Sequence, residues 1–201
     1  MFEKRGAGTL FYQARLRYAR RTLPTDTLDQ GFFVQKALRP VTPEGLPQAL
    51  ASIAETSAAR FAGGDLVLAD LVIVTPSPRD FVVVDDPLPA GFEAVDSHLA
   101  TSSSGLDVGA SGASPCGDCG DEESRDALAA GHTFFEDYTQ RELRDDRVLF
   151  FVDHMAAGMY HYRYLARATT LGKFVLPSTR VEEMYTPETF GRNGATLVSV
   201  E

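Results

Sequence analysis

The sequence lacks long hydrophobic runs and is short of positive charge. Its longest apolar stretches, such as residues 71–74 and 148–152, are far shorter than the ~20 residues that a membrane-spanning helix needs. Its 19 basic and 28 acidic residues give a formal net charge of -9. Because phosphate-backbone sites need clustered lysine and arginine, this balance argues against a nucleic-acid partner.

The first residues also lack the apolar run of a signal peptide. A cytoplasmic protein would show this absence, and so would an excised C-terminal fragment. The beginning of the sequence therefore leaves both interpretations open.

Common catalytic motifs are missing as well. There is no Gly-x-Ser-x-Gly elbow, His-Glu-x-x-His, phosphate loop or dinucleotide fingerprint. The acidic pairs at residues 85–86 and 145–146 are poor acid/base candidates, since neighbours on an extended chain point to opposite faces. The twelve-residue calcium loop is absent too. We interpret these carboxylates as turn caps or ion-pair partners of Arg144 or Arg147, and we expect neither catalysis nor a cofactor.

The two cysteines, Cys116 and Cys119, form a Cys-x-x-Cys in a glycine-rich acidic stretch. A redox motif would be expected at the start of a helix that follows a strand. A structural zinc site would need two further ligands at fixed spacing, and the chain has only four histidines. A local disulfide is the first interpretation, free thiols the second and a metal site the third.

The length allows one large globular domain or two small ones, and we predict a single domain over residues 1–201 because strands on both sides of residues 97–131 are needed to close one sheet system. The chain has 201 residues, of which 44% are hydrophobic and 23% charged, so it is long enough for a sizeable core. Short stretches of alternating or continuous apolar residues, separated by turn signals, predict an all-β antiparallel sandwich. The predicted strands are residues 9–18, 31–38, 65–74, 81–84, 92–95, 147–153, 160–168, 173–176 and 195–200.

The alternation at residues 160–168 predicts a half-buried strand with Tyr160, Tyr162 and Tyr164 towards the core. Its other face, which carries His161 and Arg163, is expected to be solvated. Gly172 then offers a turn, and residues 173–176 resume the alternation before Pro177 stops it, so the unit is predicted to be a β-hairpin.

Three other stretches differ from this strand pattern. Residues 43–62 have apolar positions at helical spacing, which predicts a short helix or helical loop. Residues 85–91 contain two closely spaced prolines, which predict an extended rigid loop. Residues 97–131 are rich in Ser, Gly, Ala and acidic residues, which is typical of a long flexible loop inserted in the same domain.

Beyond the predicted hairpin, charged residues at 180–183 lead directly into Met184 and Tyr185. Pro187 follows, so this segment cannot continue a strand. Two large apolar side chains in an irregular loop are either tucked under a sheet or presented to a partner.

Four motifs, in this order, resemble one known family. They are VTPSPRDF at residues 74–81, VDDPLPAGFE at 84–93, RELRDDR at 141–147, and YRYLARAT at 162–169 with its continuation to EMYTP at 183–187. The chain resembles the C-terminal macroglobulin-like domain of bacterial alpha-2-macroglobulins, which are large envelope proteins that trap proteases. The resemblance extends over residues 8–200.

The resemblance implies a non-catalytic domain of a much larger secreted protein in the periplasm or cell envelope. Its partners would be the thioester domain and other macroglobulin domains of the same parent, and target proteases through the parent. The thioester motif of the family, Cys-x-x-Gln, is absent from this chain. Met184, Tyr185 and Pro187 are then the expected interface that shields the thioester of a neighbouring domain from water.

Two other function classes stay open on the residues alone. A stand-alone adhesion or carbohydrate-binding sandwich would show an exposed aromatic row on one sheet face. A metal or redox module built on Cys116 and Cys119 would show an ordered loop around them.

Overall fold

A computed structural model of the chain describes residues 5–9, 11–13, 15, 26–52, 57–96 and 133–201. These residues form fourteen β-strands and one short helix, α1 (Leu46–Leu50). No helix among them is long and apolar enough to cross a membrane. The predicted loop at 97–131, with Cys116 and Cys119, lies outside the described residues, as does half of the predicted strand at 9–18. The described residues of that stretch, 9, 11–13 and 15, belong to none of the strands, so the structure does not bear out a strand there.

The first sheet contains six antiparallel strands. They are β1 (Leu28–Gln30), β5 (Arg79–Pro87), β8 (Gln140–Leu143), β9 (Arg147–Met155), β12 (Arg180–Glu183) and β13 (Phe190–Arg192). Their order across the sheet is β1-β13-β12-β5-β9-β8.

The second sheet contains five strands, β2 (Phe33–Val41), β4 (Leu66–Thr75), β6 (Phe92–Val95), β7 (Thr133–Phe135) and β10 (Gly158–Ala168). The order is β2-β4-β10-β6, and β7 pairs in parallel with the other end of β10. A small third sheet has the order β11-β14-β3 and consists of β11 (Gly172–Leu176), β14 (Thr196–Val200) and β3 (Arg60–Phe61).

The first and second sheets pack face to face around one apolar core. Phe150 of β9 stacks on Tyr162 of β10, with ring centroids 5.0 Å apart and planes 17° apart. Most of the alternate positions that face this interior are buried and apolar in both sheets, as the period-2 pattern requires: Val67, Ala69, Leu71, Ile73, Val82, Val84, Val148, Val152, Tyr160 and Tyr164. The predicted antiparallel sandwich is confirmed.

Helix α1 packs on the outer face of the second sheet. It is shorter than the predicted helical stretch at 43–62, and Pro47 lies in its first turn, where a backbone N–H is not needed. Leu46 packs with Leu68 and Leu165 in a second apolar cluster. The strands β4 and β10 are therefore buried on both faces, as predicted for residues 65–74.

The prediction of a solvated face at residues 160–168 is confirmed only at Arg167, which is exposed, and is wrong for His161, Arg163 and Leu165. His161 and Arg163 are 0% and 5% exposed, because the ring of Phe135 stacks on His161 at 4.9 Å and lies 5.5 Å from the Arg163 guanidinium carbon. Arg163 also donates from Nη1 to the Leu50 carbonyl oxygen at 2.7 Å. Side chains and loops distant in the sequence cover this face, so alternation alone could not show its burial.

The predicted hairpin is also wrong. Both edges of β10 are occupied, one by β4 and the other by β6 and β7, so no edge is left for β11. Instead, β11 pairs antiparallel with β14. Gly172 does lie at the predicted turn, with φ +146°, but the chain leaves the sheet there instead of folding back on it.

Three element boundaries differ from the prediction. β2 continues through Pro40 to Val41, which an edge strand tolerates because that side needs no backbone donor. β5 extends to Pro87, so residues 85–87 belong to a strand and not to a loop. The predicted turn at 75–80 covers only residues 76–78, and it leads β5 into the other sheet, where it pairs with β9 and β12.

The predicted structural role of the paired acidic residues is confirmed for Arg147. Its Nη1 lies 2.9 Å from Asp85 Oδ2, and its Nη2 lies 3.0 Å from Asp146 Oδ2. Arg144 instead pairs with Glu142 at 2.7 Å. Because these ion pairs are exposed or half-exposed, each contributes little to the free energy of unfolding.

Asp86 is different, because it is fully buried between the two large sheets. Its Oδ1 lies 2.6 Å from Lys36 Nζ of β2 and accepts a hydrogen bond from Thr179 Oγ1 at 2.7 Å. Its Oδ2 accepts from the Tyr164 hydroxyl of β10 at 2.6 Å. Lys36 Nζ also donates to the Pro87 carbonyl oxygen at 3.2 Å. The carboxylate therefore joins two strands of the second sheet to β5 of the first.

Replacing Lys36 by Met tests this network. The Asp86 carboxylate would stay buried without its cation, so we expect the free energy of unfolding to fall by about 3–5 kcal/mol. Adding Asp86→Asn removes the unpaired charge, and the amide oxygen can accept from the Tyr164 hydroxyl while the amide N–H donates to Thr179 Oγ1, so it should restore at least half of the loss. Urea denaturation of both variants measures this, and a loss below about 1 kcal/mol for Lys36→Met would contradict the account.

Glu136 is a second unusual carboxyl group. It follows β7 with a φ of 51°, which is rare for a residue other than glycine. Its backbone N–H donates to the His161 carbonyl oxygen at 3.0 Å, and its Oε1 accepts from the Arg163 N–H at 2.8 Å. Burial raises the pKa of Glu136 from 4.5 to about 8.

This raised pKa predicts a pH dependence of stability. Between pH 4.5 and 8 the unfolded chain loses the Glu136 proton while the folded chain keeps it, so stability falls as pH rises through this range. We expect Glu136→Gln to remove this decrease of stability with pH. It should raise the free energy of unfolding at pH 8 by a few kcal/mol, which is the order of magnitude that the raised pKa of Glu136 implies. Thermal unfolding across the range tests it, with Glu188→Gln at an exposed position as the control. Equal pH profiles for both variants would refute the assignment.

Candidate functional site

The segment between β12 and β13 is an ordered loop, residues 184–189, which we call the Met184 loop. It is closed by backbone hydrogen bonds: the Thr186 N–H donates to the Glu183 carbonyl oxygen at 3.2 Å, and the Thr189 N–H donates to the Thr186 carbonyl oxygen at 2.8 Å. The Glu183 N–H donates back to the Thr189 carbonyl oxygen at 3.2 Å. The loop therefore has a defined shape even though it extends a hairpin into solvent.

The apolar side chains of this loop are exposed. Met184 is 49% exposed and Tyr185 is 79% exposed. Pro187, the third residue predicted from the sequence, is exposed in the same loop. The structure thus brings all three predicted residues together on the surface, outside the core.

Phe81 extends this surface and was not predicted from the sequence. Its ring meets the Tyr185 ring edge to face, with centroids 5.3 Å apart and planes 88° apart. Its carbonyl oxygen accepts a hydrogen bond from the Met184 N–H at 2.9 Å. Phe81 is 48% exposed and has a φ of 52°. We call Phe81, Met184 and Tyr185 the apolar patch.

The base of the loop is fixed by the neighbouring strands. Arg79 Nη1 lies 3.7 Å from Glu183 Oε2, and the Arg79 guanidinium carbon lies 5.7 Å from the Phe32 ring centroid. At Gly31, which has φ +116°, a Cβ atom would lie 2.8 Å from the Thr189 methyl carbon. A side chain at residue 31 would displace the loop, so the close approach requires glycine.

The side chains of the apolar patch are suited to hydrophobic contact with a partner. A large aromatic ring and a flexible thioether, held on a rigid base, gain free energy when a partner removes them from water. Within the described part of the chain, no group of three or more His, Cys, Asp or Glu residues could hold a metal ion. Cys116 and Cys119 lie outside that part, so their pairing stays a prediction.

The sequence model of the family described as "Bacterial Alpha-2-macroglobulin MG10 domain" matches residues 31–188. This range includes the Asp86 network and extends into the Met184 loop.

Two curated proteins are similar along almost the whole chain. An "Alpha-2-macroglobulin homolog" of Nostoc sp. is 28% identical over 199 residues, which are 99% of this chain and 9% of that protein. "Circularly permutated Ras protein 2" of Dictyostelium discoideum is 27% identical over 198 residues, which are 98% of this chain and 4% of that protein. The chain thus spans less than a tenth of the length of these relatives.

Solved structures of bacterial alpha-2-macroglobulins contain the same fold. The Salmonella protein reacted with methylamine matches with a TM-score of 0.58 at 22% identity, covering 90% of this chain and 10% of that chain. The native Escherichia coli protein matches with a TM-score of 0.60 at 21% identity, again covering 90% of this chain and 10% of that chain. The E. coli protein activated by porcine elastase matches with a TM-score of 0.61 at 24% identity, covering 87% of this chain and 13% of that chain.

The family match, which includes well over half of the residues, agrees with the observed sandwich and with both sets of similarities. The chain belongs to the family of bacterial alpha-2-macroglobulin MG10 domains.

Proposed function

We propose that this chain is the non-catalytic C-terminal domain of a larger bacterial alpha-2-macroglobulin that inhibits endopeptidases by trapping them. In this role residues 1–201 form one macroglobulin-like domain that packs on the thioester domain of the parent. Met184, Tyr185 and Pro187 cover the thioester. The exposed apolar patch is the observation that carries the proposal.

The physical argument is the exclusion of water. A thioester hydrolyses unless apolar groups keep water away from it, and removing water from a site suppresses such side reactions. Met184 and Tyr185 present such groups on a loop that is held by strands β12 and β13 and by Phe81. A rigid base lets the loop bind without a large loss of conformational entropy.

The relatives support the same class of function. The Salmonella relative was solved after reaction with methylamine, and the E. coli relative was solved after activation by porcine elastase and by trypsin. This chain has no Cys-x-x-Gln motif, so we place the thioester in another domain of the parent. We place the parent in the periplasm or anchored in the cell envelope, where it would meet foreign proteases as a bacterial defence.

The alternative of a carbohydrate-binding or adhesion module would need a row of exposed aromatic rings on one sheet face. Among the described strands and loops, Phe81 and Tyr185 pair at one loop. Phe33 and Phe135 lie on the outer face of the second sheet, where β4 and β10 separate them. The paired geometry favours a compact docking patch.

The test is the lifetime of the thioester in the longer protein. With Met184→Ala and Tyr185→Ala combined, we expect thioester loss in buffer to be at least about tenfold faster, which corresponds to about 1.4 kcal/mol of shielding. Thiol release over time measures it. In the isolated chain the same changes should alter stability by less than about 0.5 kcal/mol, because both side chains are exposed.

Leu171→Ala is the matched control, since Leu171 is an apolar residue with 66% exposure in the connection between β10 and β11, outside both proposed surfaces. It should leave the thioester lifetime unchanged. An unchanged lifetime in the double variant would refute the role of these residues, although membership of the family would stand.

A further inference from the structure

A groove lies where strands leave the third sheet and enter the first. β11 continues into β12 through residues 177–179, and β13 continues into β14 through residues 193–195. The Thr179 N–H donates to Asn193 Oδ1 at 2.7 Å and ties the two connections together. The groove that opens beside them has a volume of about 360 Å³ and is distinct from the apolar patch.

One part of the groove is aliphatic. Val175, Pro177 and Ala195 line it. Val175 is 43% exposed, and its partner across the β11–β14 pair, Leu197, is 63% exposed. An uncharged, extended segment of a partner could therefore bury aliphatic surface here.

The opposite part of the groove is polar and contains atoms without hydrogen-bond partners. Arg192 Nε, Ser178 Oγ and Asp85 Oδ1 are each buried and have none. A buried polar atom without a partner is unfavourable by about 1–3 kcal/mol. Two of these atoms, Arg192 Nε and Ser178 Oγ, are hydrogen-bond donors on different segments that line the same groove, which points to a ligand with a hydrogen-bond acceptor.

Asp85 also lines the groove, but its Oδ2 already pairs with Arg147 Nη1 at 2.9 Å, so the charge that is left over in this region is positive and favours a carboxylate ligand. Arg180 and Arg192 are directly opposite each other on β12 and β13, and like charges in this position repel. Arg180 is already paired with Glu182, with Nε 2.6 Å from Oε2. No ion pair with a described acidic residue is found for Arg192. A carboxylate in the groove would supply its counter-ion and would accept from Ser178 Oγ as well.

We propose that this groove binds an extended polypeptide segment with an acidic side chain between aliphatic ones, and that the segment belongs to another domain of the longer chain. This assignment of the source rests on the proposed function, because the curated relatives are more than ten times the length matched here. The groove would be a second docking point, so the domain would be held to its parent at two separate surfaces.

The chemistry of the groove is tested with the 201-residue chain. The probe is the blocked pentapeptide acetyl-Val-Ala-Glu-Ala-Val-amide, and its Gln twin is the control. Amide chemical-shift titration should show saturable changes at Val175, Ser178 and Ala195 for the Glu peptide, with binding at least about tenfold weaker for the Gln twin. Arg192→Gln should weaken binding similarly, as expected for loss of a charge-assisted hydrogen bond. Arg144→Gln, at an exposed arginine outside the groove, should have no effect.

Equal binding of the two peptides, or no saturable change at these residues, would overturn the proposed ligand. Sodium acetate at the same concentration causing the same changes would also overturn it, since the groove would then bind a small anion only. Thermal unfolding of Arg192→Gln shows whether a loss of binding reflects a loss of folding.

The source of the segment is tested in the longer protein with the photo-crosslinking residue p-benzoylphenylalanine at Val175. A cross-link to another domain of the same chain supports the proposal. A cross-link only to separate proteins, or no more cross-linking than with the same residue at Gln140, overturns it. These results do not depend on the thioester lifetime, so the groove and the shielding role can fail independently.

Discussion

The carboxylate of Asp86 holds the two large sheets together from the middle of the sandwich. It accepts from Lys36 and Tyr164 of one sheet and from Thr179, which precedes β12 of the other. Because a buried carboxylate is tolerated only with its partners in place, this interaction fixes the register of β2 and β10 against β5. The position of β12, and with it the loop that β12 carries, follows from that register.

Sequence reasoning succeeded where local pattern decides the structure. The buried run at residues 65–74 and the alternation of Tyr160, Tyr162 and Tyr164 each specify a strand and its inner face. It failed where distant segments decide. Alternation at residues 160–168 could not show that helix α1 and Phe135 cover the outer face, and the glycine at 172 could not show that both edges of β10 were already occupied.

The candidate site shows the same division. Met184, Tyr185 and Pro187 stand out in the sequence, because large apolar residues rarely follow a charged run and precede a proline within one loop. Phe81 gives no such signal. Its place beside Tyr185 depends on the crossing of β5 into the other sheet and on a backbone φ of 52°, neither of which can be read from its neighbours.

The domain thus combines a core that is fixed by a buried ionic network with two unlike surfaces. The apolar patch offers aromatic and thioether groups, and the groove offers an arginine among aliphatic side chains. Surfaces of these two chemistries select different partners, so together they would set the orientation of the domain against a larger assembly.

The central claim is that the Met184 loop is covered in the intact parent. Hydroxyl-radical footprinting of Met184 and Tyr185 compares the isolated chain with the longer protein, before and after cleavage by a protease. The account predicts strong protection of both side chains in the uncleaved longer protein and loss of that protection after cleavage. Equal labelling in the isolated chain and in the uncleaved longer protein would contradict it.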